Sequence, residues 1–423
     1  MPQFLPFRGL RYSAAAGSLS ELLAPPYDVI SAAQQQALEA RNEHNAVRLE
    51  LAEGGEERYA AVAELLARWQ SEGALIRDEE PKFSIYEQRF SEGGAYYTRR
   101  GLFALVEAQP WDEGAVKPHE YTMSGPKADR LKLLQATGVQ FSPIFMIARD
   151  RAGMLAQFID SAIRADPPDL EGTSIDGDEH RLWIVDGGSY EMRRLAPLLA
   201  ESFYVADGHH RYETAVSYRD WLAASEVLPR DHPARFAMSV IVPASDSGLV
   251  IRPIHRMVAR EAPANWQDLV SPRFEITHVK LIRGEHEKAL ELSDLLQTCD
   301  IVALDLDENQ VHVLRKREGE GVSPRSSDEL DSIPPNLLRY GVLEPLWGFN
   351  DEDLRAGAVA YSHAIDEVLE FLGLNPGSCA FLLNPVSVQS VLSIADRGER
   401  MPQKSTFFHP KLATGLVFSP LSP

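Results

Sequence analysis

The sequence predicts a mixed α/β fold, and three observations support that class. Aromatic and β-branched runs typical of strands alternate with segments whose apolar residues recur at helical spacing. Turn-forming residues at 91–94 separate two of the strand-like runs, as in a hairpin. Another run, at 203–206, leads through turn-like residues at 207–211 into a helical pattern from 212. Strands and helices therefore follow one another along the chain.

The first hundred residues predict two helices and a hairpin. Pro25 and Pro26 impose an extended path before a helix at 31–43. The apolar residues of 59–70 recur at helical spacing, which predicts a second helix with one packing face. The runs KFSIYEQRF and YYTRRGLFALVEA then form the two strands of the hairpin around 91–94.

The middle of the chain continues this alternation. After Trp111, a loop rich in polar and basic residues leads into a short helix and an apolar strand that ends in FMIAR. The pattern then predicts a helix at 154–164, short paired strands at 172–184, a helix at 189–200, a strand at 203–206 and a helix at 212–224. The runs RFAMSVIVPA and GLVIRPIHRMV flank turn residues at 245–248, which predicts a second hairpin.

The last third predicts strands in FEITHVKLI and DIVALDLDENQVHVL and an amphipathic helix at 365–372. The polar stretch 318–335 is the best candidate for a linker or long loop. A chain of 423 residues exceeds the size at which a single core stops growing. We therefore predict three regions: an N-terminal α/β region at 1–110, a central core at 111–261 and a C-terminal α/β region at 262–423.

Composition limits the class of protein and its partners. The formal net charge of -20 disfavours binding of nucleic acid, which depends on lysine and arginine contacts to phosphate, although a local basic pocket is compatible with it. No window approaches the run of about 20 apolar residues that a membrane span requires. Cys299 and Cys379 are too few for a disulfide framework. These features predict a cytoplasmic protein that acts on a small molecule.

The stretch VADGHHRYETA is the main candidate site. If it forms a strand, a turn and a helix, then Asp207, Gly208, His209, His210 and Arg211 lie at a helix N-terminus, where unsatisfied N–H groups and the helix dipole favour an anion. Arg211 can grip two phosphate oxygens, and Gly208 lets the backbone approach a ligand. The structural alternative has Asp207 as a cap, both histidines as turn residues and Arg211 paired with Glu213 or another carboxylate.

Two further segments offer polar side chains. HEYTMSGPKADR supplies His119 and Glu120 as acid-base or metal candidates, and Lys127 and Arg130 as phosphate partners three residues apart on one helix face. A solvated helix face is the alternative for the two cations. MPQKSTFFHPK is predicted as a loop, and its candidate phosphate-binding residues are Lys404, Ser405, Thr406 and His409. A plain surface loop is the alternative there.

The remaining motif is APPYDVIS, in which Tyr27 either stacks on a base or fills a core. This motif, HEYTMSGPKADRLKLL with FSPIF, VADGHHRYETA, and MPQKSTFFHPKLATGLV together resemble a widespread prokaryotic family of uncharacterised proteins often labelled ParB-like. The resemblance covers most of the chain, because the four motifs occur in the family's order. It implies kinship with the ParB and sulfiredoxin fold, and with free-serine kinases whose loop is similar to residues 207–211.

These patterns lead to a functional hypothesis. The resemblance implies a phosphotransferase that moves a phosphoryl group from a nucleotide or pyrophosphate to a hydroxylated metabolite, with free serine as one candidate. Adjacent His209 and His210 cannot share a helix face, and no paired-cysteine spacing supports zinc. Mg²⁺ held by Asp207, Glu120 or phosphate oxygens suits phosphoryl chemistry better, and Glu120 or one of the loop histidines, His209 or His210, is expected to accept the hydroxyl proton. The alternatives are a ParB-like nucleotide-binding switch and a phosphate-ester hydrolase.

Overall fold

A computed structural model describes residues 3–121, 124–282, 287–307, 310–319, 321 and 327–422. The chain forms two compact units. Unit 1 contains Met1–Pro118, Thr122–Val250 and Pro410–Pro423, and unit 2 contains His119–Tyr121 and Ile251–His409. The three-region division predicted above stays a prediction, because compact units need not coincide with segments that fold separately.

Unit 1 is built on a nine-stranded mixed sheet. Along one path its strands are Val116–Lys117, Phe203–Asp207, Ile144–Ala148, Phe236–Pro243, Ala95–Glu107, Lys82–Glu92, Glu179–Asp186 and Leu170–Thr173, and Phe4–Leu5 pairs with Ala95–Glu107. Two small sheets join Leu10–Tyr12 to Leu75–Arg77 and Val139–Gln140 to Ser419–Pro420. Fully buried phenylalanines of the large sheet, among them Phe83 and Phe203, belong to one hydrophobic core. The predicted hairpin is present, and Gly93 and Gly94 turn it with positive φ angles.

The helices of unit 1 surround these sheets. They are Leu19–Leu22, Ala32–Arg41, Val47–Glu50, Arg58–Ser71, Ser124–Thr137, Met154–Ala165, Ser189–Leu195 and His209–Ala223. The helix expected at 189–200 is α-helical only to Leu195, because Pro197 cannot donate to the ladder and the chain continues as a 3₁₀ turn at Ala196–Ala200. The helices expected at 31–43 and 59–70 are present with bounds shifted by one or two residues.

Unit 2 contains a six-stranded sheet. Its strands follow the order Phe274–Val279, Val311–Lys316, Ile301–Leu304, Cys379–Leu383, His255–Val258 and Ala360–Ser362. Its helices are Trp266–Val270, Lys288–Leu296, Asp328–Ser332, Pro334–Leu338, Glu344–Trp347, Asp351–Arg355, Ile365–Leu374 and Val388–Asp396. The predicted linker at 318–335 ends in two of these helices, and its residues 320 and 322–326 lie outside the described residues.

The second predicted hairpin is wrong. Phe236–Pro243 is an inner strand, paired with Ala95–Glu107 on one side and Ile144–Ala148 on the other, so it has no free edge for GLVIRPIHRMV. That run is itself divided into Val250–Arg252 and His255–Val258, because Pro253 interrupts it.

The mixed α/β class predicted from the sequence is confirmed. The finer assignment of the central segment to the ParB and sulfiredoxin fold stays a prediction. Within the described residues, the helices are all too short or too polar to cross a membrane.

Candidate functional site

The VADGHHRYETA stretch forms a strand and a helix joined by one glycine. The strand Phe203–Asp207 is buried except at Asp207, and the helix His209–Ala223 begins two residues later. Gly208 has a φ of +92°, a left-handed conformation that favours glycine. A Cβ at Gly208 would also lie 3.2 Å from the guanidinium of Arg211.

The helix begins earlier than the sequence predicted. We expected a turn over 207–211 and a helix from Tyr212, but the backbone N–H of Tyr212 already donates to the carbonyl of Gly208, at 2.9 Å. Gly208 alone forms the turn between the strand and the helix. His209, His210 and Arg211 therefore belong to the first helical turn.

Asp207 is held between two cations. Nη2 of Arg211 donates to Oδ2 of Asp207 at 2.6 Å, and Nζ of Lys411 donates to Oδ1. All three side chains are at most 14% exposed. Burial opposes ionisation of the Asp207 carboxyl, but Lys411 and Arg211 outweigh it and hold its pKa well below the usual range. Asp207 is therefore a fixed anion and a poor general base.

Arg211 also donates from Nη1 to the carbonyl of Pro143 at 2.6 Å. Its carboxylate partner is thus Asp207, one helical turn earlier, and not Glu213. Burial lowers the pKa of Arg211, but Asp207 and Asp28 outweigh burial and raise it, so the guanidinium is charged at every relevant pH. The ion pair of Arg211 with a carboxylate, which was the structural alternative to ligand binding, is thus present. Both of its side chains are largely buried.

Arg211 lines a cleft with an empty volume of about 480 Å³. The polar residues of its wall are Tyr27, Glu50, Arg130, Gln140, Ser142, Arg211 and Thr214, and the apolar ones are Leu133, Leu134, Val139, Phe141, Ile144 and Ala215. The combination of apolar side chains with several polar ones in one wall is typical of small-molecule sites. The cleft lies entirely within unit 1.

Arg130 is the second cation of this cleft. Its Nη1 donates to Oε2 of Glu50 at 2.9 Å, and its Nη2 donates to Oδ2 of Asp129 at 2.6 Å. The ring of Tyr27 lies 4.3 Å from the Arg130 guanidinium, a cation–π contact. Burial raises the pKa of the Tyr27 hydroxyl to about 12, so the phenol is protonated at neutral pH.

Lys127 and His210 both lie near Glu213, which belongs to the helix His209–Ala223. Nζ of Lys127 donates to Oε2 of Glu213 at 2.5 Å, and Nε1 of Trp111 donates to Oε1 of Glu213 at 2.7 Å. Burial lowers the pKa of His210, which Glu213 opposes and Lys127 reinforces, so its ring is neutral at pH 7. The structure thus brings the segments 127–130 and 207–211 together.

The predicted magnesium ligands do not fit a cation. Each oxygen of Asp207 accepts from a cationic side chain, so a metal ion there would lie next to two positive charges. The part of the chain that the structure describes holds no group of three or more His, Cys, Asp or Glu side chains suited to a metal.

The other predicted site residues form a separate cluster in unit 2. Oε1 of Glu120 accepts from the backbone N–H of Ser405 at 3.1 Å, and from the N–H and hydroxyl of Thr406, both at 3.2 Å. Nε2 of His119 lies 2.8 Å from the Thr406 hydroxyl. The Glu120 carboxylate therefore occupies the donors that we predicted to bind phosphate.

The segment that was predicted as a loop is a strand at Phe407–His409, so Lys404 precedes that strand and His409 ends it. Lys404 is exposed and adopts a positive φ of 59°. His409 is half-buried, and its ring stacks near that of Phe407 with centroids 6.3 Å apart. Phosphate binding by Lys404, Ser405, Thr406 and His409 stays a prediction.

A family model described as a protein of unknown function, DUF1015, matches residues 4–329. This match covers well over half of the chain. The chain belongs to the DUF1015 family. A comparison with curated proteins finds no match.

Solved structures resemble this DUF1015 protein only remotely. A free serine kinase variant in complex with ADP is 12% identical with a TM-score of 0.37, over 74% of this chain and 92% of that one. A conserved hypothetical protein from Pyrococcus furiosus is 12% identical with a TM-score of 0.35, over 73% and 93%. SbnI with a C-terminal truncation from Staphylococcus aureus is 10% identical with a TM-score of 0.37, over 75% and 87%. Similarity at this level does not establish a shared activity.

Sequence reasoning missed the contacts of three residues near the candidate site of this DUF1015 protein. Lys411 stood in the C-terminal motif, but nothing linked it to Asp207, which is 204 residues away in the sequence. Glu213 and Trp111, which hold Lys127, were likewise not assigned to the site. No period or spacing in one sequence reports such long-range pairs.

Proposed function

We propose that this DUF1015 protein is a phosphotransferase that binds the phosphate groups of a nucleotide or pyrophosphate in the cleft of unit 1. The acceptor is a hydroxylated metabolite, with free serine as one candidate. One observation carries the proposal: two buried guanidiniums, Arg130 and Arg211, line a single cleft whose remaining wall is largely apolar.

The carboxylate partners of both arginines are compatible with a phosphate ligand. A guanidinium carries five N–H donors. The described contacts of Arg130 to Glu50 and Asp129 engage four of them, whereas those of Arg211 to Asp207 and Pro143 engage two, so Arg211 is the better placed of the two to meet a phosphate. The buried carboxylates fix the two planar groups in place, so little freedom is lost when a ligand binds. The apolar wall then suits a nucleobase better than bare pyrophosphate.

The chemistry requires mainly placement, charge neutralisation and one proton acceptor. The acceptor oxygen attacks the terminal phosphorus, and the bond from that phosphorus to the bridging oxygen breaks. Arg130 and Arg211 line the cleft and stabilise the phosphate oxygens. Lys127 and His210 are not among its lining residues but lie close to Glu213 on the helix of Arg211, where Lys127 supplies a further cation for the phosphate and His210 takes the hydroxyl proton. His210 suits this role better than Asp207, because its ring is neutral at pH 7 whereas Asp207 holds its charge against two cations.

The proposal is tested with labelled donors. The purified protein is incubated with terminally labelled ATP, ADP or pyrophosphate and a pool of hydroxylated metabolites. We expect a labelled metabolite. Release of free phosphate alone would indicate a hydrolase, and binding without turnover would indicate a nucleotide-binding switch, so either result contradicts the transferase.

A conservative change at Arg211 tests the cleft. We expect Arg211→Lys to weaken binding of ADP by roughly ten- to 150-fold, because lysine keeps the charge but loses the planar fork. Lysine also cannot hold both Asp207 and the carbonyl of Pro143, so we expect a loss of about 1 to 3 kcal/mol in the free energy of unfolding.

The matched control for this change is Arg164→Lys. Arg164 also pairs with an aspartate one helical turn away, Asp160, but its side chain is 81% exposed. We expect Arg164→Lys to leave both ADP affinity and stability within experimental error. An Arg211→Lys protein that binds ADP as tightly as the parent in calorimetric titration would remove Arg211 from the site.

A further inference from the structure

The backbone at Pro410 and Lys411 is fixed by two buried side chains of the large sheet. Nη2 of Arg99 donates to the carbonyl of Pro410 at 2.6 Å and to Oε1 of Gln88 at 2.5 Å. Nε2 of Gln88 in turn donates to the carbonyl of Lys411 at 3.2 Å. Arg99 is 2% exposed and Gln88 is 1% exposed, so this pair is part of the protein interior.

Lys411 extends from this fixed backbone to Asp207. Its Nζ donates to Oδ1 of Asp207, and Arg211 donates to the other oxygen of the same carboxylate. The lysine side chain is 13% exposed. A side chain held at both ends in this way has little freedom to leave.

Arg211 lines the cleft, whereas the described wall of the cleft includes neither Asp207 nor Lys411. The order of contacts is Lys411 to Asp207, Asp207 to Arg211, and Arg211 to the cleft.

We propose that Lys411 is a positioning residue, which fixes the Asp207 carboxylate and through it the orientation of the Arg211 guanidinium that meets the ligand. The identity of the ligand in this inference rests on the proposed function. The order of contacts from Lys411 to Asp207 to Arg211 does not. It also gives the C-terminal segment a part in the site that lies 204 residues earlier.

The charges around Asp207 explain why Arg211 alone does not suffice to keep this buried carboxylate ionised. Four basic side chains act on the Asp207 carboxylate: Lys411, Arg211, His209 and Arg99. Only Lys411 and Arg211 form ion pairs with it within the described residues. Without Lys411, Oδ1 loses its cationic donor and a half-satisfied carboxylate remains buried. Asp207 would then accept a proton more readily and hold Arg211 less firmly.

The test compares Lys411→Met and Lys411→Gln with Lys411→Arg, which retains the charge. In titrations with ADP from about pH 4 to about pH 8, each variant is compared with the parent at the same pH, because the terminal phosphate of ADP itself titrates at about pH 6 whereas Asp207 of the parent stays ionised. We expect the Met and Gln variants to bind roughly tenfold more weakly than the parent at neutral pH, and the ratio to grow on acidification. Lys411→Arg should recover most of the parent's affinity at every pH.

A second readout needs no ligand. We expect the carboxyl ¹³C titration of Asp207 to move upward in pH in the Met and Gln variants, and the side-chain ¹⁵N signals of Arg211 to shift or broaden. Failure of the parent to bind ADP would contradict the proposed function, but the ligand-free measurements on Asp207 and Arg211 would still test the positioning role. Unchanged Asp207 titration and unchanged Arg211 signals in both neutral variants would overturn the positioning role.

Discussion

Asp207→Asn should destabilise unit 1 by about 3 to 5 kcal/mol, because removing one member of a buried ionic group leaves uncompensated charge in the interior. The amide would face Lys411 and Arg211, which now both carry positive charge beside a neutral side chain. The same change should abolish measurable ADP binding, since it releases Arg211. Urea unfolding at neutral pH and calorimetric titration give the two quantities.

The pH dependence of this effect has a definite sign. The pKa of Asp207 in the folded protein lies below its ordinary value of 3.8, so the ion group contributes its stability above that pH and loses it as the pH falls. The difference in stability between the parent and Asp207→Asn should therefore be largest at neutral pH and shrink below about pH 4. A difference that stays constant to about pH 3 would show that the carboxylate charge is not the cause.

Asp186→Asn is the matched control. Asp186 also pairs with a lysine, Lys82, but its side chain is 77% exposed. We expect this control to lose less than about 1 kcal/mol, because exposed pairs contribute little. Equal losses in the two variants would mean that burial of the Asp207 group has no energetic consequence.

His210→Gln should lower kcat by roughly a hundredfold or more while leaving the Kd for ADP within about threefold of the parent. Glutamine retains a polar side chain of similar length but cannot accept the proton of the attacking hydroxyl. An unchanged kcat would exclude His210 as the base and return the choice to His209 or Glu120. A loss of ADP affinity with an unchanged kcat would make His210 a binding residue.

The pH–rate profile of the parent gives a second check on His210. A base must be neutral, and burial places the pKa of His210 below its ordinary value of 6.5. The rate should thus stay level as the pH falls to about 6.5 and decline only below it. A fall in rate centred above pH 7 would contradict the lowered pKa of His210. The residual activity of His210→Gln should not show this fall in rate at acidic pH.

The local part of the site could be predicted from the sequence. A buried run, one glycine and a helical pattern suffice to place the Asp207 carboxylate at the end of a strand and Arg211 near a helix start. Only the first helical residue was wrong, because a single left-handed glycine can end the turn at once.

The partners of these residues could not be predicted. Lys127 meets Glu213 across 86 positions, and Glu120 meets Thr406 across 286. Such pairs depend on how whole elements pack, which a local pattern does not contain. A polar residue looks the same in one sequence whether it meets a ligand or a carboxylate, so the contacts of Lys127 to Glu213 and of Ser405 to Glu120 could not be foreseen, and phosphate binding by both residues stays a prediction.

The division of unit 1 along the chain affects how the protein forms during synthesis. Residues up to Val250 leave the ribosome long before Pro410–Pro423, yet both belong to the same unit. Asp207 can therefore pair with Lys411 only after 204 further residues have been translated, and closing that gap carries the entropy of a long loop. A nascent chain stopped after residue 409 should already possess the strand and helix around Gly208 but not the second cation, so the cleft would acquire its final electrostatics only once Lys411 has been added.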